Sequence, residues 1–336
     1  MKTSKQYRRF VSLDVFRGIA ITGMILVNHP GSWQHVYPPL LHAEWHGCTP
    51  TDLVFPSFLF IVGVSLSFSL RKYRDSVFPT RILNRTLILF GLGLLLNVSS
   101  LIFAWMFQGV DPDFSQLRLM GVLQRISIAY FLASLLILRL SPKNRAIAIA
   151  VLLIGYWVAM ALGGDFSPEN NLAAKIDRWL LSPDRLYLGG PYDPEGLFST
   201  IPTVATVLIG NLTGEWLQQQ PITRGTSIKM VLAGLSCLVV GILWDVVFPT
   251  NKALWTSSYV IFSAGWALLI FAGCFEAIEL RGWRKWSFPF EVMGLNAIFV
   301  FVASGIITRI LYKTGIGSSE EVISTYTWLY QVRFVG

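Results

Sequence analysis

The chain has 336 residues, of which 53% are hydrophobic and 14% charged, against about 25% charged in an ordinary soluble domain. That balance excludes a water-soluble globule. The formal charge of +8 does not imply a nucleic-acid partner, because the cations fall in short clusters between apolar runs, as bilayer topology requires.

Taken in chain order, nine apolar runs reach the roughly 17 to 25 residues needed to cross hydrocarbon, near 12–29, 51–70, 82–98, 118–138, 145–163, 197–217, 227–248, 254–275 and 288–310. An open sheet in lipid would leave backbone groups unsatisfied, and the alternation of barrel strands is absent, so the fold class is an all-α polytopic transmembrane helical bundle, one domain over 1–336. The basic start, Lys2 to Arg9, precedes an apolar stretch without a small-residue cleavage site, which reads as a retained first span. No fixed-period repeat or low-complexity segment appears.

Orientation follows from the loops. Lys2, Lys5, Arg8 and Arg9 mark the N-terminal tail, Arg71, Lys72, Arg74 and Arg81 the second loop, and Arg139, Lys143 and Arg145 the fourth. Arg224 and Lys229, then Arg281, Arg284 and Lys285, continue the series, whereas 30–50 and 99–117 carry no Lys or Arg. The positive-inside rule therefore places the N-terminus in the cytoplasm. With nine spans the C-terminal stretch TYTWLYQVRFVG is expected outside, either folded on the outer face or short of a final helix.

All four histidines, His29, His35, His42 and His46, lie at the outer end of the first span and in the loop after it. Histidine titrates nearest neutrality, which suits proton transfer at a membrane face; amphipathic rings are also normal interfacial residues. Metal binding is disfavoured. His42 and His46 are four apart around Glu44, but HAEWH is not a metalloprotease motif and the surrounding prolines indicate loop. Cys48, Cys237 and Cys274 have no CxxC spacing, so neither a disulfide framework nor a cysteine zinc site is indicated.

Charges within the runs form the second group of candidates, since ionisable groups at membrane depth are costly and usually face a polar cavity. Asp14 and Arg17 are spaced to pair on one helix face, as a ligand contact or a fixing salt bridge. Arg125 is expected about two turns into the fourth run, and function is favoured there. Asp52 begins the second run behind Thr49 and Thr51, either capped by a threonine or orienting a histidine. Asn28 is a candidate oxyanion donor.

The segments LDVFRGIAITGMILVNHPG and LLHAEWHGCTPTDLVFPSFLFIVG resemble the opening of the heparan-α-glucosaminide N-acetyltransferase family, including its bacterial NagX-like members. GVLQRISIAY, DPEGLFSTIPTVATVLIG, NKALWTSSYVIFSAGWALL and FPFEVMGLNAI extend the resemblance, in order, from about residue 10 to 300. It implies a transmembrane acetyltransferase taking acetyl-CoA from the cytoplasm and acetylating the amino group of glucosamine, or a glucosamine-containing sugar, on the far side. His42 matches the family's catalytic histidine and Asn28 its asparagine. Asp14, Arg17 and Arg125 are then expected on the acetyl-CoA side, Asp52 behind His42, and Asp193 and Glu195 around the sugar, or as a polar lip before the sixth run. Relative to the animal lysosomal enzyme the chain is expected to lack an N-terminal luminal region and a last helix, which points to a bacterial inner-membrane member. No metal is expected, and a homo-oligomer is compatible with the sequence. The competing reading is a secondary transporter of a small sugar or anionic metabolite, which would call for a pseudo-symmetric repeat and a midplane site.

Overall fold

The structure is a computed structural model and describes residues 9–70, 80–318 and 321–332. Lys2, Lys5, Arg8, Arg71, Lys72 and Arg74, used above for orientation, lie outside the described residues.

Among the described residues twelve helices follow one another: α1 (Val11–Asn28), α2 (Val54–Ser69, entered through a 3-10 turn at Pro50–Leu53), α3 (Thr80–Gln108), α4 (Val122–Arg139), α5 (Pro142–Gly163), α6 (Leu172–Leu181), α7 (Thr200–Leu217), α8 (Arg224–Asp245), α9 (Ser257–Phe275, prolonged by a π turn to Leu280), α10 (Phe288–Leu295), α11 (Ala297–Lys313) and α12 (Thr325–Tyr330). The strands β1 (Gly315–Ser318) and β2 (Glu321–Ser324) form an antiparallel pair, with Ile316 opposite Ile323. The all-α class holds. Among the described residues, seven helices are long and apolar enough to cross a membrane, or up to eight if α10 and α11 count as one span. The chain is an integral membrane protein.

Two of the nine expected runs differ from simple spans. The run at 197–217 is helical as α7 but is absent from the seven, because it carries Thr200, Thr203, Thr206 and Asn211, all buried. This is the interior helix, shielded from lipid by its neighbours. The run at 288–310 is broken, α10 meeting α11 at 84° around Asn296. By contrast α3, α5 and α8 turn Leu87, Ile88, Val151, Ile154, Leu232 and Leu243 outward, as lipid-facing helices should.

Close backbone approach sets the main pairings. A side chain at Gly63 on α2 would meet the Val207 carbonyl on α7, and one at Gly210 would meet the Phe60 carbonyl. Likewise Gly18 of α1 faces the Phe290 carbonyl of α10, and Gly294 of α10 faces that of Asp14. Small residues at such crossings let membrane helices gain dispersion contact where no hydrophobic drive separates helix from lipid.

Two charge placements differ from expectation. The fourth helix starts at Val122, not near 118, so Arg125 lies in its first turn, and residues 118–121 are not helical. Arg145, counted above as a loop charge, is fully buried on α5, where it donates to Asn211 Oδ1 and, at 2.8 Å, to Glu215 Oε2 on α7.

Candidate active site

Two neighbouring cavities lie within the bundle among the described residues. One, of about 420 Å³, is lined by Arg17, Ser65, Arg85, Tyr130 and the backbone around the α10–α11 break, over a mostly apolar wall. The other, of about 440 Å³, is lined by Asn28, His29, His42, Asp52, Glu195 and Lys252 among others. Met24, Val122 and Phe301 line both, so the cavities share a wall. Each is of the size that takes a small-molecule ligand.

His42 belongs to the loop between α1 and α2. Its Nδ1 lies 2.6 Å from Asp52 Oδ1; because a carboxylate only accepts, the neutral ring donates from Nδ1 and leaves its lone pair on Nε2. The buried Asp52 is itself fixed: its Oδ2 accepts the backbone N–H groups of Ala43 (3.1 Å) and Thr49 (3.0 Å), and its carbonyl accepts from the Tyr259 hydroxyl at 2.6 Å. Thr49 thus opens the 3-10 turn, and Asp52 also orients the histidine; both readings of the sequence meet in one carboxylate.

Lys252, from the loop between α8 and α9, brings its Nζ to 3.0 Å from His42 Nδ1 and 3.2 Å from Nε2, and to 3.7 Å from Asp52 Oδ1. Burial pulls its ammonium toward the neutral form, opposed by Asp52 and Glu195, and the balance stays below the ordinary lysine value. The loop is fastened on both sides. Asn251 Nδ2 donates to the Trp45 carbonyl at 2.8 Å, Asn251 Oδ1 accepts the Leu254 N–H at 2.9 Å, and Gly47 N–H donates to the Thr250 carbonyl at 2.8 Å. Trp255 is held at φ 52°, costly for a bulky residue, and is fully buried against Phe55 and Tyr259, with its Nε1 3.2 Å from Thr206 Oγ1.

The acidic pair before α7 divides. Arg118 clamps Asp193 with two bonds, of 2.8 and 2.6 Å, and reaches Glu195 Oε2 at 2.6 Å. Asp193 is buried and spent on that clamp, whereas Glu195 lines the cavity. Burial alone would raise the Glu195 carboxyl, but Arg118, Arg125 and Lys252 outweigh it and keep it below its ordinary value. Aromatic rings surround it: Tyr187 lies under the Arg118 guanidinium, and Tyr192 meets Trp45 edge to face at 4.8 Å.

The other expected residues separate in space. Asn28 lines the histidine cavity and is exposed there at the end of α1. Arg17 lines the arginine cavity, its Nη2 donating to Ser65 Oγ at 2.7 Å and its Nη1 to Asp14 Oδ1 at 3.2 Å. Asp14 lines neither cavity. It pairs with Arg9 and Arg17 and sets the pose of the latter. Arg125 also lines neither: it is fully buried, donating to Ser199 Oγ and to the Gly196 carbonyl at 3.2 Å, with its guanidinium over the Trp255 ring. It braces the loop before α7 against the loop before α9.

Of the remaining histidines, His29 holds its own helix end, with Nδ1 3.0 Å from the Ile25 carbonyl, His35 is exposed, and His46 sits beside Asn251. Burial lowers His29 and His46 below the usual histidine value. Sequence reading missed Lys252, Arg118 and Arg85. The signal for Lys252 was its place in NKALW, a lone cation in a short apolar connection.

Residues 9–241 match the model of the heparan-alpha-glucosaminide N-acetyltransferase catalytic family. The chain belongs to that family. Among curated proteins it is similar to the human heparan-alpha-glucosaminide N-acetyltransferase, 29% identical over an alignment covering 88% of this chain and 52% of the relative. The mouse protein of the same name is 25% identical, over 88% of this chain and 53% of its own length. The chain thus spans about half the length of the curated relatives it matches. In this chain His42 pairs with the Asp52 carboxylate, and Lys252 joins that pair.

Proposed function

We propose that this chain is a transmembrane acetyltransferase that moves an acetyl group from cytoplasmic acetyl-CoA to the amino group of glucosamine, or of a glucosamine-containing sugar, on the opposite side. The observation that carries the reading is the His42–Asp52 pair, ring Nδ1 against the carboxylate, in a cavity that shares a wall with a second, arginine-bearing one.

The residues fit the donor's chemistry. A pantetheine arm is long, thin and uncharged, and the arginine cavity offers an apolar wall of Phe58, Val62, Leu66 and Ile126 with Arg17 and Arg85 as cations; phosphate groups favour such guanidinium partners. Asn28 and His42 stand in the other cavity, where the thioester end would arrive. His42 Nε2 accepts the proton of the attacking amine, or attacks the thioester itself, while Asp52 stabilises the charge that forms on the ring. Asn28 donates to the oxyanion. Glu195, with Tyr187, Tyr192 and Trp45, supplies a carboxylate and ring faces suited to an amino sugar. The clusters at Arg139, Lys143 and Arg281 to Lys285 support a cytoplasmic N-terminus.

The test is acetyl transfer to glucosamine by the detergent-purified chain supplied with labelled acetyl-CoA. Product formation with a CoA-induced rise in thermal midpoint is expected. A folded protein that neither binds CoA nor forms product would instead favour the transporter. Sidedness is read separately: a cysteine at position 35 should be labelled from outside intact cells and one at 143 should not.

A further inference from the structure

The transfer leaves one proton in need of a route. The sugar amine loses a proton as its nitrogen joins the carbonyl carbon, and the departing sulfur needs one to leave as a thiol. His42 can accept the first proton on Nε2, but its other nitrogen is committed to Asp52 at 2.6 Å. A thiol has an ordinary pKa of ~8.5, and a group that donates to the sulfur as the C–S bond breaks lowers the barrier.

Lys252 is the group so placed. Its Nζ lies 3.2 Å from His42 Nε2 and lines the same cavity. The side chain is only 22% exposed, against 1% for Asp52 and 12% for Glu195. Four groups face it besides His42: the anions Asp52 and Glu195, the Arg125 guanidinium, and Cys48, whose thiol is pushed up to about 12 by burial and stays neutral. Arg118 ties Glu195 in place at 2.6 Å. Two anions favour the ammonium and burial favours the amine, and the balance lies below the ordinary lysine value. A lysine placed only for structure would be expected to bond a carboxylate closely; here Asp52 Oδ1 is 3.7 Å away and the ring nitrogens are nearer.

We propose that Lys252 is the acid that protonates the departing CoA sulfur. This rests on the acetyltransferase reading above. The amine nitrogen bonds to the thioester carbon and His42 Nε2 takes its proton. The C–S bond breaks with its electron pair on sulfur, and Lys252 Nζ gives sulfur a proton, leaving a neutral amine beside an imidazolium. The proton on His42 Nε2 then passes the 3.2 Å to Lys252 Nζ, and both groups return to their starting forms. No further reactant is required. If the acetyl group rests first on Nε2, Lys252 gives its proton in the first half and takes the amine's in the second, so the count is unchanged.

The test compares donors. Lys252→Met should lower turnover with acetyl-CoA by roughly a hundredfold or more, the usual scale for a lost proton donor, while the CoA-induced thermal shift persists. With an acetyl thioester of an acidic aromatic thiol, whose thiolate leaves unprotonated, the loss should shrink to less than about tenfold. Lys252→Arg keeps the cation but holds its proton too tightly (pKa above ~12), so it should not restore turnover. Equal losses with both donors, restoration by Lys252→Arg, or unchanged turnover by Lys252→Met would each overturn the proposal. If the wild-type chain rejects the aromatic donor, the arginine variant alone decides. A wild-type chain that does not transfer acetyl from acetyl-CoA sinks the parent reading, whereas normal wild-type transfer unaffected by Lys252→Met sinks this inference alone.

Discussion

The two cavities are built by opposite means. In the histidine cavity the polar groups come largely from four loops and are tied across long stretches of sequence: Lys252 to His42, Arg118 to Asp193, Asn251 to Trp45. Little there depends on one helix face. The arginine cavity is a slot between helix faces, its wall apolar and its cations few. A site that moves protons needs atoms fixed to within a few tenths of an ångström, which cross-linked loops supply; a site that grips a long chain needs only a matching trough.

Mutations should therefore act on turnover in the first cavity and on affinity in the second. The largest effect is expected of His42→Ala, which should lower acetyl transfer by roughly a hundredfold or more with CoA binding retained. Alanine at His35 or His46 should cost far less. An unchanged His42→Ala rate, with the fold intact, would remove the distinction altogether. Asp52→Asn comes next. The amide cannot hold the Nδ1 proton as a carboxylate does, so a loss of roughly ten- to a hundredfold is expected, accompanied by a lower thermal midpoint because Ala43 and Thr49 lose a charged acceptor. Loss of stability without loss of rate would make Asp52 a cap and nothing more.

In the other cavity Arg17→Ala or Arg85→Ala should raise the KM for acetyl-CoA about tenfold, some 1.4 kcal/mol, and leave kcat within about twofold. A fall in kcat with KM unchanged would show that the two regions do not divide the work. The smallest effect concerns the buried carboxylate that holds the loop before α7. Burial pushes the Asp177 carboxyl up to about 6, against the N–H groups of Leu197 and Phe198 that it accepts. A raised carboxyl means that the folded state holds the proton more tightly. Its contribution is thus complete below the unfolded value of ~3.9 and is lost as pH rises through about 6. The thermal midpoint of Asp177→Asn should lack that decline between about pH 4 and 7; an identical slope in both proteins would refute it.

The helical class was legible because lipid leaves few ways to satisfy a backbone, and apolar length alone reports it. The pairing of His42 with Asp52 was legible too, since only ten residues separate them. Lys252 was not. Its partner lies 210 positions away, and a single cation in a short connection has no period or spacing to betray it. The depth of Arg125 was misjudged for a different reason: residues 118–121 were counted into the run but lie outside the helix, so a depth measured from the run's start places the arginine too far in. The break at Asn296 escaped because hydropathy averages across it.

One consequence follows from the locked crossing of α1 and α10. With Gly18 against Phe290 and Gly294 against Asp14, α1 cannot slide along its partner. That single rod carries Arg17 in one cavity and Asn28 in the other, and a rise of about 1.5 Å per residue sets them ~16 Å apart along its axis. If acetyl-CoA spans the two cavities as proposed, the helix is a ruler, and a donor a few bonds too short or too long would bring its carbonyl to the wrong mark.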